Sequence, residues 1–344
     1  MTRVAIVGAG PAGIAAANVL AAHGLAPVVI DEGLRPGGQI YRQPRPGLRL
    51  DVEALLGAEA ENYRRTHATF ENLKDRIDYR PRTLAWAIDG RTLHTIEGSA
   101  AATVDFVAVV LATGATDRTL PVKGWTLPGV FTLGGAQVLL KEHGCLIGRR
   151  IVFCGSSPLL YLAANQYRAM GAEIAAILDT TPLAAKAMAA GDLMAAPGTF
   201  WRGLGYMAAL RRAGVAIHHG VQLRAFEGAA GVEAVRFRNR RGEEITLPCD
   251  AVAVGFGLKP ETQLVELAGE EMVGAADDAV VDLDVALVHQ LVDELLHRFH
   301  RHELVAVALD DQAGGRAGRQ EAEIEAVGWR CHGDETVDFR SAHE

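Results

Sequence analysis

Six residues near the start of the chain, Gly8-Ala9-Gly10-Pro11-Ala12-Gly13, have the types and spacing to hold a phosphate. Gly8 permits a tight turn, Gly10 lets a pyrophosphate approach the backbone, and Gly13 lets the following helix pack on the preceding strand. The N-terminus of that helix offers unpaired N–H groups and a partial positive charge to an anion. Asp31 stands 18 residues beyond Gly13, where a carboxylate can accept ribose hydroxyls; Glu32 follows it and is expected to face the other way. These residues together point to dinucleotide binding. A second group follows directly, Arg35-Pro36-Gly37-Gly38-Gln39-Ile40-Tyr41-Arg42. Its paired glycines let the backbone pass close to a flat ring or phosphate, and Gln39 and Arg42 bring donors. Turn chemistry alone leaves open that this is a plain Pro/Gly loop.

The elements that must position these groups can be read around them. Arg3 to Val7 is a short apolar run expected to be a buried strand, Ile14 to His23 an Ala-rich helix closed by Gly24, and Pro27 to Ile30 a second strand. Val4 to Ile30 holds no Asp, Glu, Lys or Arg, so on length it is a membrane-span candidate. The glycines and Pro11 break any single helix, buried parallel strands are near-continuously apolar, and no basic flank precedes the run. No membrane span is expected. Farther on, Asp51 to Leu73 reads as a helix, and Ile77 to Asp89 and Arg91 to Ile96 as strands turning at Asp89-Gly90. Phe106 to Leu111 reads as a strand running into Ala112-Thr113-Gly114-Ala115, a turn suited to a bound cofactor or to any core strand.

The pattern then repeats. Arg149 to Leu160 is strand, turn and helix again, and Gly171 to Asp179 a second strand, so a second nucleotide-type unit begins near residue 149. Here Ser157 and Leu160 stand where the second and third loop glycines belong, and their side chains would crowd a pyrophosphate. NAD(P) binding in this unit is predicted to be weak or lost, although Asp179 could still receive a ribose.

Composition excludes several classes. The 344 residues carry a formal charge of −8, and a nucleic-acid binder would show a basic footprint instead. The four cysteines form no CxxC pair, which removes a dithiol relay and a clustered metal site and fits a reducing cytoplasm. The acidity is local: residues 270–344 hold 18 acidic side chains, six arginines and no lysine, leaving the first 269 residues at +4. In that tail Val285 to Phe299 can form an amphipathic helix, and His297 and His300 are available, though no metal site is expected there. No catalytic residue is assigned; His143, His218 and His219 are read as structural or exposed.

The order of G-A-G-P-A-G, P-G-G-Q-I-Y-R and L-A-T-G-A resembles the two-dinucleotide-binding-domain flavoproteins of the thioredoxin-reductase kind. The resemblance implies an α/β fold with two Rossmann-like domains, the first holding FAD. It places Gly8, Gly10, Pro11, Ala12 and Gly13 on the FAD pyrophosphate and Asp31 on the adenosine ribose. It also sets Gly38 and Gln39 on the flavin side, Ala112, Thr113 and Gly114 beside the cofactor, and the Leu84 backbone near adenine. Together with Gly155-Ser156-Ser157-Pro158-Leu159-Leu160 and Cys249 to Pro260, the pattern over residues 3–269 resembles the FAD-binding α subunits of opine oxidases, hydrogen cyanide synthase and dye-linked proline or hydroxyproline dehydrogenases. This implies, as partner, an amino-acid-oxidase-like β subunit, together with a small-molecule amine substrate and electron relay through flavin. The expected division is 1–118 for the first part of the FAD domain, 119–254 for an inserted, degenerate NAD(P)-type domain, and 255–344 for a divergent acidic segment where the family completes the FAD domain. The family's closing strand ending in Gly-Asp is not found; Val305 to Asp311, followed by Gly314-Gly315, is a faint echo of it. Two other readings remain, a stand-alone NAD(P)H-dependent flavin reductase and a non-catalytic nucleotide-binding assembly subunit.

Overall fold

A computed structural model describes residues 3–188, 197–267, 304–308 and 328–329. Its centre is two parallel sheets. The first contains β1 (Val4–Val7), β2 (Val28–Ile30), β3 (Asp78–Arg80), β7 (Ala108–Leu111), β18 (Leu304–Ala308) and β19 (Gly328–Trp329), in the order β19-β18-β7-β1-β2-β3. All its pairings are parallel except that of β18 with β19. The apolar run expected around Arg3–Val7 is therefore a central strand, buried on both faces. One face packs on α1 (Pro11–Ala22) and α3 (Ala60–Leu73) through Ile6, Val29, Leu20, Phe70 and Val110. The other packs, through Ala5, Val28 and Leu111, on Leu93 and Val104 of an antiparallel meander. That meander is β4 (Thr83–Asp89), β5 (Thr92–Glu97) and β6 (Ala100–Asp105). Covering both faces explains why β1, β2 and β7 lack charge, whereas the edge strand β3 carries Asp78 and Arg80. The echo at Val305–Ala308 lies within β18, in register beside β7; residues 309–327, with the Asp and Gly pairs that follow, lie outside the described residues, as do His297, His300 and the expected helix at 285–299.

The second sheet repeats the plan. It contains β9 (Val130–Thr132), β10 (Arg150–Gly155), β11 (Glu173–Asp179), β12 (Ala216–His219) and β16 (Ala251–Gly255), all parallel, in the order β12-β11-β10-β16-β9. Helices α4 (Leu133–His143) and α5 (Leu159–Ala169) cover one face, and the meander of β13 (Gln222–Glu227), β14 (Ala234–Arg238) and β15 (Glu244–Pro248) covers the other. A two-stranded antiparallel ribbon, β8 (Ala115–Asp117) with β17 (Leu258–Pro260), pairs the two connecting segments.

Two expected elements are interrupted. The helix read over Asp51–Leu73 is α2 (Val52–Leu56), a single 3-10 turn at Gly57–Glu59, and α3, because Gly57 adopts φ +56°. The strand read over Ile77–Asp89 is split at Arg82, which adopts φ +54° while its N–H bonds to Gly33 O at 3.0 Å. The residues before the split join the parallel sheet and those after it join the meander. An alternating run of residues carries no mark of which sheet each half enters. No helix among the described residues is long and apolar enough to cross a membrane.

Candidate functional site

The glycine loop runs from the end of β1 to the start of α1. Gly10 is the N-cap in extended conformation, Pro11 is the first helical residue, and Ile14 N–H closes the first turn on Gly10 O at 2.9 Å. Proline is at ease there, since a first-turn N–H has no helical acceptor anyway. Two close approaches give the loop its shape. A Cβ on Gly8 would stand 2.1 Å from Ala112 O, and one on Gly13 would stand 1.9 Å from Gly8 O. The glycines therefore let the ends of β1 and β7 and the start of α1 meet backbone to backbone, with no room for side chains between them. Ala112, whose N–H bonds Val7 O at 2.8 Å, brings the end of β7 to the same place. Thr113 Oγ1 donates to Glu261 O at 2.8 Å and Glu261 N–H returns to Gly114 O at 2.9 Å, which fixes the Ala112–Gly114 turn against the segment after β17.

Asp31 lies just past the end of β2, with its carboxylate turned into the loop. One oxygen accepts Ala9 N–H at 2.5 Å and the other Gly33 N–H at 2.6 Å. Burial pushes its carboxyl above the usual carboxylate range, opposed by those two N–H groups and then by Arg42. Each oxygen keeps a further lone pair, so the clasp of the loop and acceptance of a ribose hydroxyl are compatible. Glu32 is exposed beside it. The Leu84 side chain is also exposed, while Thr83 N–H binds Asp31 O at 2.9 Å, which sets the start of β4 against the loop after β2.

The Pro-Gly-Gly-Gln loop is tied to the glycine loop by Gly37 N–H, which donates to Ala9 O at 2.8 Å. Gln39 has an exposed side chain, and Gly38 is half-buried with φ +58°. Arg42 is engaged by the other unit: its guanidinium donates to Glu142 at 2.8 Å, and its Nε is buried without a partner. Residues that carry no motif in the sequence hold this loop in place. His67 of α3 bridges Tyr41 O, 3.0 Å from Nε2, and the Gln43 amide, 3.1 Å from Nδ1. A carbonyl needs a donor, so Nε2 carries the proton and Nδ1 accepts from Gln43. Lys141 and Glu142, in the last turn of α4, contact the loop from the second unit. In the sequence they read as ordinary helix C-terminal residues.

Burial holds the His67 imidazole below its usual pKa, only partly offset by its bond to Tyr41. The unfolded chain then takes up a proton before the native one as pH falls below about 6.5, and stability from this group falls with it. Acidification from about pH 7 to about pH 5 is expected to loosen the Gly37–Gln43 loop, and His67→Gln to abolish that dependence. Hydrogen exchange at the Tyr41 amide, bonded to Gly37 O at 3.0 Å, reads it directly.

In the second unit Gly155 keeps the close approach, its Cβ position 1.8 Å from Gly255 O, but the next two loop positions carry side chains. Ser157 is buried, and its Oγ accepts Leu159 N–H at 3.2 Å; Leu160 is fully buried in the core under α5. Asp179, at the end of β11 where a ribose would be received, is 3% exposed. Its carboxylate takes Tyr161 OH at 2.5 Å, Thr181 N–H at 2.9 Å and His219 Nδ1 at 3.4 Å, and Arg211 stands 3.3 Å behind His219 on Nε2. Burial first, and then the bond to Asp179, keeps the Tyr161 phenol protonated. Among the described residues no group of His, Cys, Asp and Glu could hold a metal ion.

A profile of the pyridine nucleotide-disulphide oxidoreductases matches residues 2–286, which include the whole second sheet and β1, β2, β3 and β7 of the first. The chain belongs to this family. Members of similar sequence include an opine oxidase subunit of Rhizobium meliloti strain 1021, 37% identical over 78% of this chain and 59% of that one. The HcnB subunit of hydrogen cyanide synthase from Pseudomonas aeruginosa is 32% identical over 86% of this chain and 65% of its own. The chain spans between half and two thirds of the length of these relatives. Among solved structures, thioredoxin reductase of Lactococcus lactis superposes with a TM-score of 0.56 at 14% identity, over 88% of this chain and 99% of that one. L-proline dehydrogenase of P. horikoshii superposes at 0.54 and 20% identity, covering 78% of this chain and 46% of that one. The fold is that of the thioredoxin-reductase-like flavoproteins. Family and fold support FAD binding, and the glycine loop, the helix N-terminus and Asp31 of the first unit fit that group. The second unit does not fit NAD(P): its loop carries Ser157 and Leu160, and its acid is bonded within the protein.

Proposed function

We propose that this chain is the FAD-binding subunit of a heteromeric oxidoreductase that oxidises amino acids or opine-type secondary amines. The observation that carries the reading is the contrast between the two units: glycines at all three loop positions in the first, and Ser157, Leu160 and a buried carboxylate bonded to Tyr161 in the second. Reducing equivalents then come from an amine rather than from a nicotinamide. The names of the relatives support the substrate class and the multi-subunit setting. FAD, when bound, supplies hydride and electron transfer at its ring, and the protein supplies position and field. In this chain the glycine loop and the start of α1 would hold the pyrophosphate, and Asp31 would meet the adenosine ribose, with the exposed Glu32 at its rim. Gly38, Gln39, Arg42 and the Ala112–Gly114 turn would bound the flavin side, with the Leu84 backbone near adenine. An amino-acid-oxidase-like partner would carry out the amine oxidation itself. The division of the chain at about 118 and 254, with the acidic segment beyond it, is part of the same reading.

An absorbance experiment tests it. The purified chain is expected to carry flavin bands that bleach with an amino acid only when the partner is present, and that NADH and NADPH leave unchanged. Bleaching by a nicotinamide alone would establish the stand-alone reductase instead, and a colourless chain the non-catalytic assembly role.

A further inference from the structure

We propose that Lys141 is a positioning residue for the cofactor, its ammonium holding the carbonyls of Gln39 and Ile40 so that the Pro-Gly-Gly-Gln loop is fixed against the site. The inference rests on the first unit binding FAD. Lys141 belongs to α4, a helix of the second unit, yet its Nζ donates to Ile40 O at 3.0 Å and lies 3.3 Å from Gln39 O in the first. The side chain is buried, although nothing in its helix requires a cation there; Leu133, Ala136 and Leu140 already seat α4 in the core. A buried ammonium is costly unless hydrogen bonds offset its desolvation, and here the acceptors are the loop carbonyls. Here two backbone carbonyls on a Pro/Gly turn are drawn to one point, immediately beside the residues that face the cofactor.

The next residue completes the grip. Glu142 accepts Arg42 at 2.8 Å and Arg45 Nε at 3.2 Å, and its backbone carbonyl takes Arg45 N–H at 3.0 Å. The opposite end of α4 is fixed as well, because Asp117 accepts Gly134 N–H at 2.8 Å. The loop is thus anchored to the first unit at Gly37 and to the second unit from Gln39 to Arg45. Packing of α4 and the shape of the cofactor wall are one mechanical unit.

The charge on Lys141 can be titrated. Burial, and then repulsion from Arg42, brings its pKa down to about 8. The charged and titratable side chains at this end of α4 are Arg42 and Arg45 from the loop, which pair with Glu142, and Glu142 and His143 from the helix itself. The carboxylate of Glu142 is engaged by the two arginines. Between about pH 8 and 10.5 the unfolded chain binds the proton that the native chain has lost, so stability from this group rises with pH there. Cofactor retention should move the opposite way, since the neutral amine holds the carbonyls less strongly.

The test is the dissociation constant of FAD, followed by flavin fluorescence, for the wild-type chain, Lys141→Met and Lys141→Arg between about pH 6.5 and 9.5. Lys141→Met should bind FAD about tenfold more weakly near neutral pH, and Lys141→Arg should restore most of that loss. Wild-type affinity should fall with a midpoint near pH 8, and that step should be missing from Lys141→Arg, which stays charged. Equal affinity in all three proteins, or a wild-type profile flat across the range, overturns the proposal. If Lys141→Met does not fold, the wild-type and Lys141→Arg profiles decide alone. A wild-type chain that binds no FAD at any pH overturns the cofactor reading itself, a result distinct from failure of the lysine's role.

Discussion

Replacing Gly8 with alanine is expected to give a colourless and markedly less stable protein. Gly8 sits at φ +106°, where an L side chain is strained, and the added Cβ would stand 2.1 Å from Ala112 O and 2.8 Å from Ala112 C. Neither atom can yield, because Ala112 N–H is bonded to Val7 O and Gly8 N–H to Ile30 O. The substitution must part the ends of β1, β2 and β7 at the glycine loop, where the proposed cofactor site lies. Combined strain and overpacking should cost about 3 kcal/mol or more, read from the urea midpoint, with FAD content down at least about tenfold. Gly24→Ala is the control. Gly24 also has positive φ, +78°, but an added Cβ meets nothing within 4 Å, so it should cost only about 1 kcal/mol and keep the flavin. Similar losses from the two variants would show that the glycine loop tolerates a methyl group and that the close approach is unimportant.

Asp179→Ala is the second large effect, and it separates a structural acid from a ligand-binding one. The carboxylate is the acceptor for Tyr161, Thr181 and His219 in a place that water does not reach. Removing it takes away a buried, hydrogen-bonded charge and leaves the Tyr161 hydroxyl without its acceptor, at a cost of about 3 kcal/mol in unfolding free energy. FAD content should be unchanged, because the residue lies in the other sheet. An acid held ready for a ribose would behave in the reverse manner, with little loss of stability and a loss of NADH affinity. Denaturant unfolding and NADH titration of the same preparation distinguish the two.

The first unit is legible in the sequence because its signals are local. Gly8, Gly10, Pro11 and Gly13 act on their own backbone, and an apolar strand, a glycine turn and an Ala-rich helix need no distant partner to be recognised. The same holds for the second unit, where Ser157 and Leu160 betray the closed loop by side-chain volume alone. Other features depend on contacts far apart in the chain. Arg82 turns the chain from one sheet into another because its N–H reaches Gly33, and Gly57 breaks a helix that the hydrophobic spacing carries through. Arg42 reads in the sequence as a donor for the cofactor, yet its guanidinium meets Glu142, 100 residues away.

The sequence by itself determined the backbone shape of the first loop, since glycine freedom, helix polarity and a carboxylate after the second strand are properties of the residues and their spacing. It also determined the closed phosphate loop of the second unit. Only the tertiary structure revealed the partners of Asp179, because its bonds to Tyr161, Thr181 and His219 arise from packing. It alone brought Lys141 and Glu142 to the Pro-Gly-Gly-Gln loop. Spacing along a chain fixes which groups are neighbours within a turn or strand, whereas burial and pairing across about 100 residues arise only when two sheets share a core.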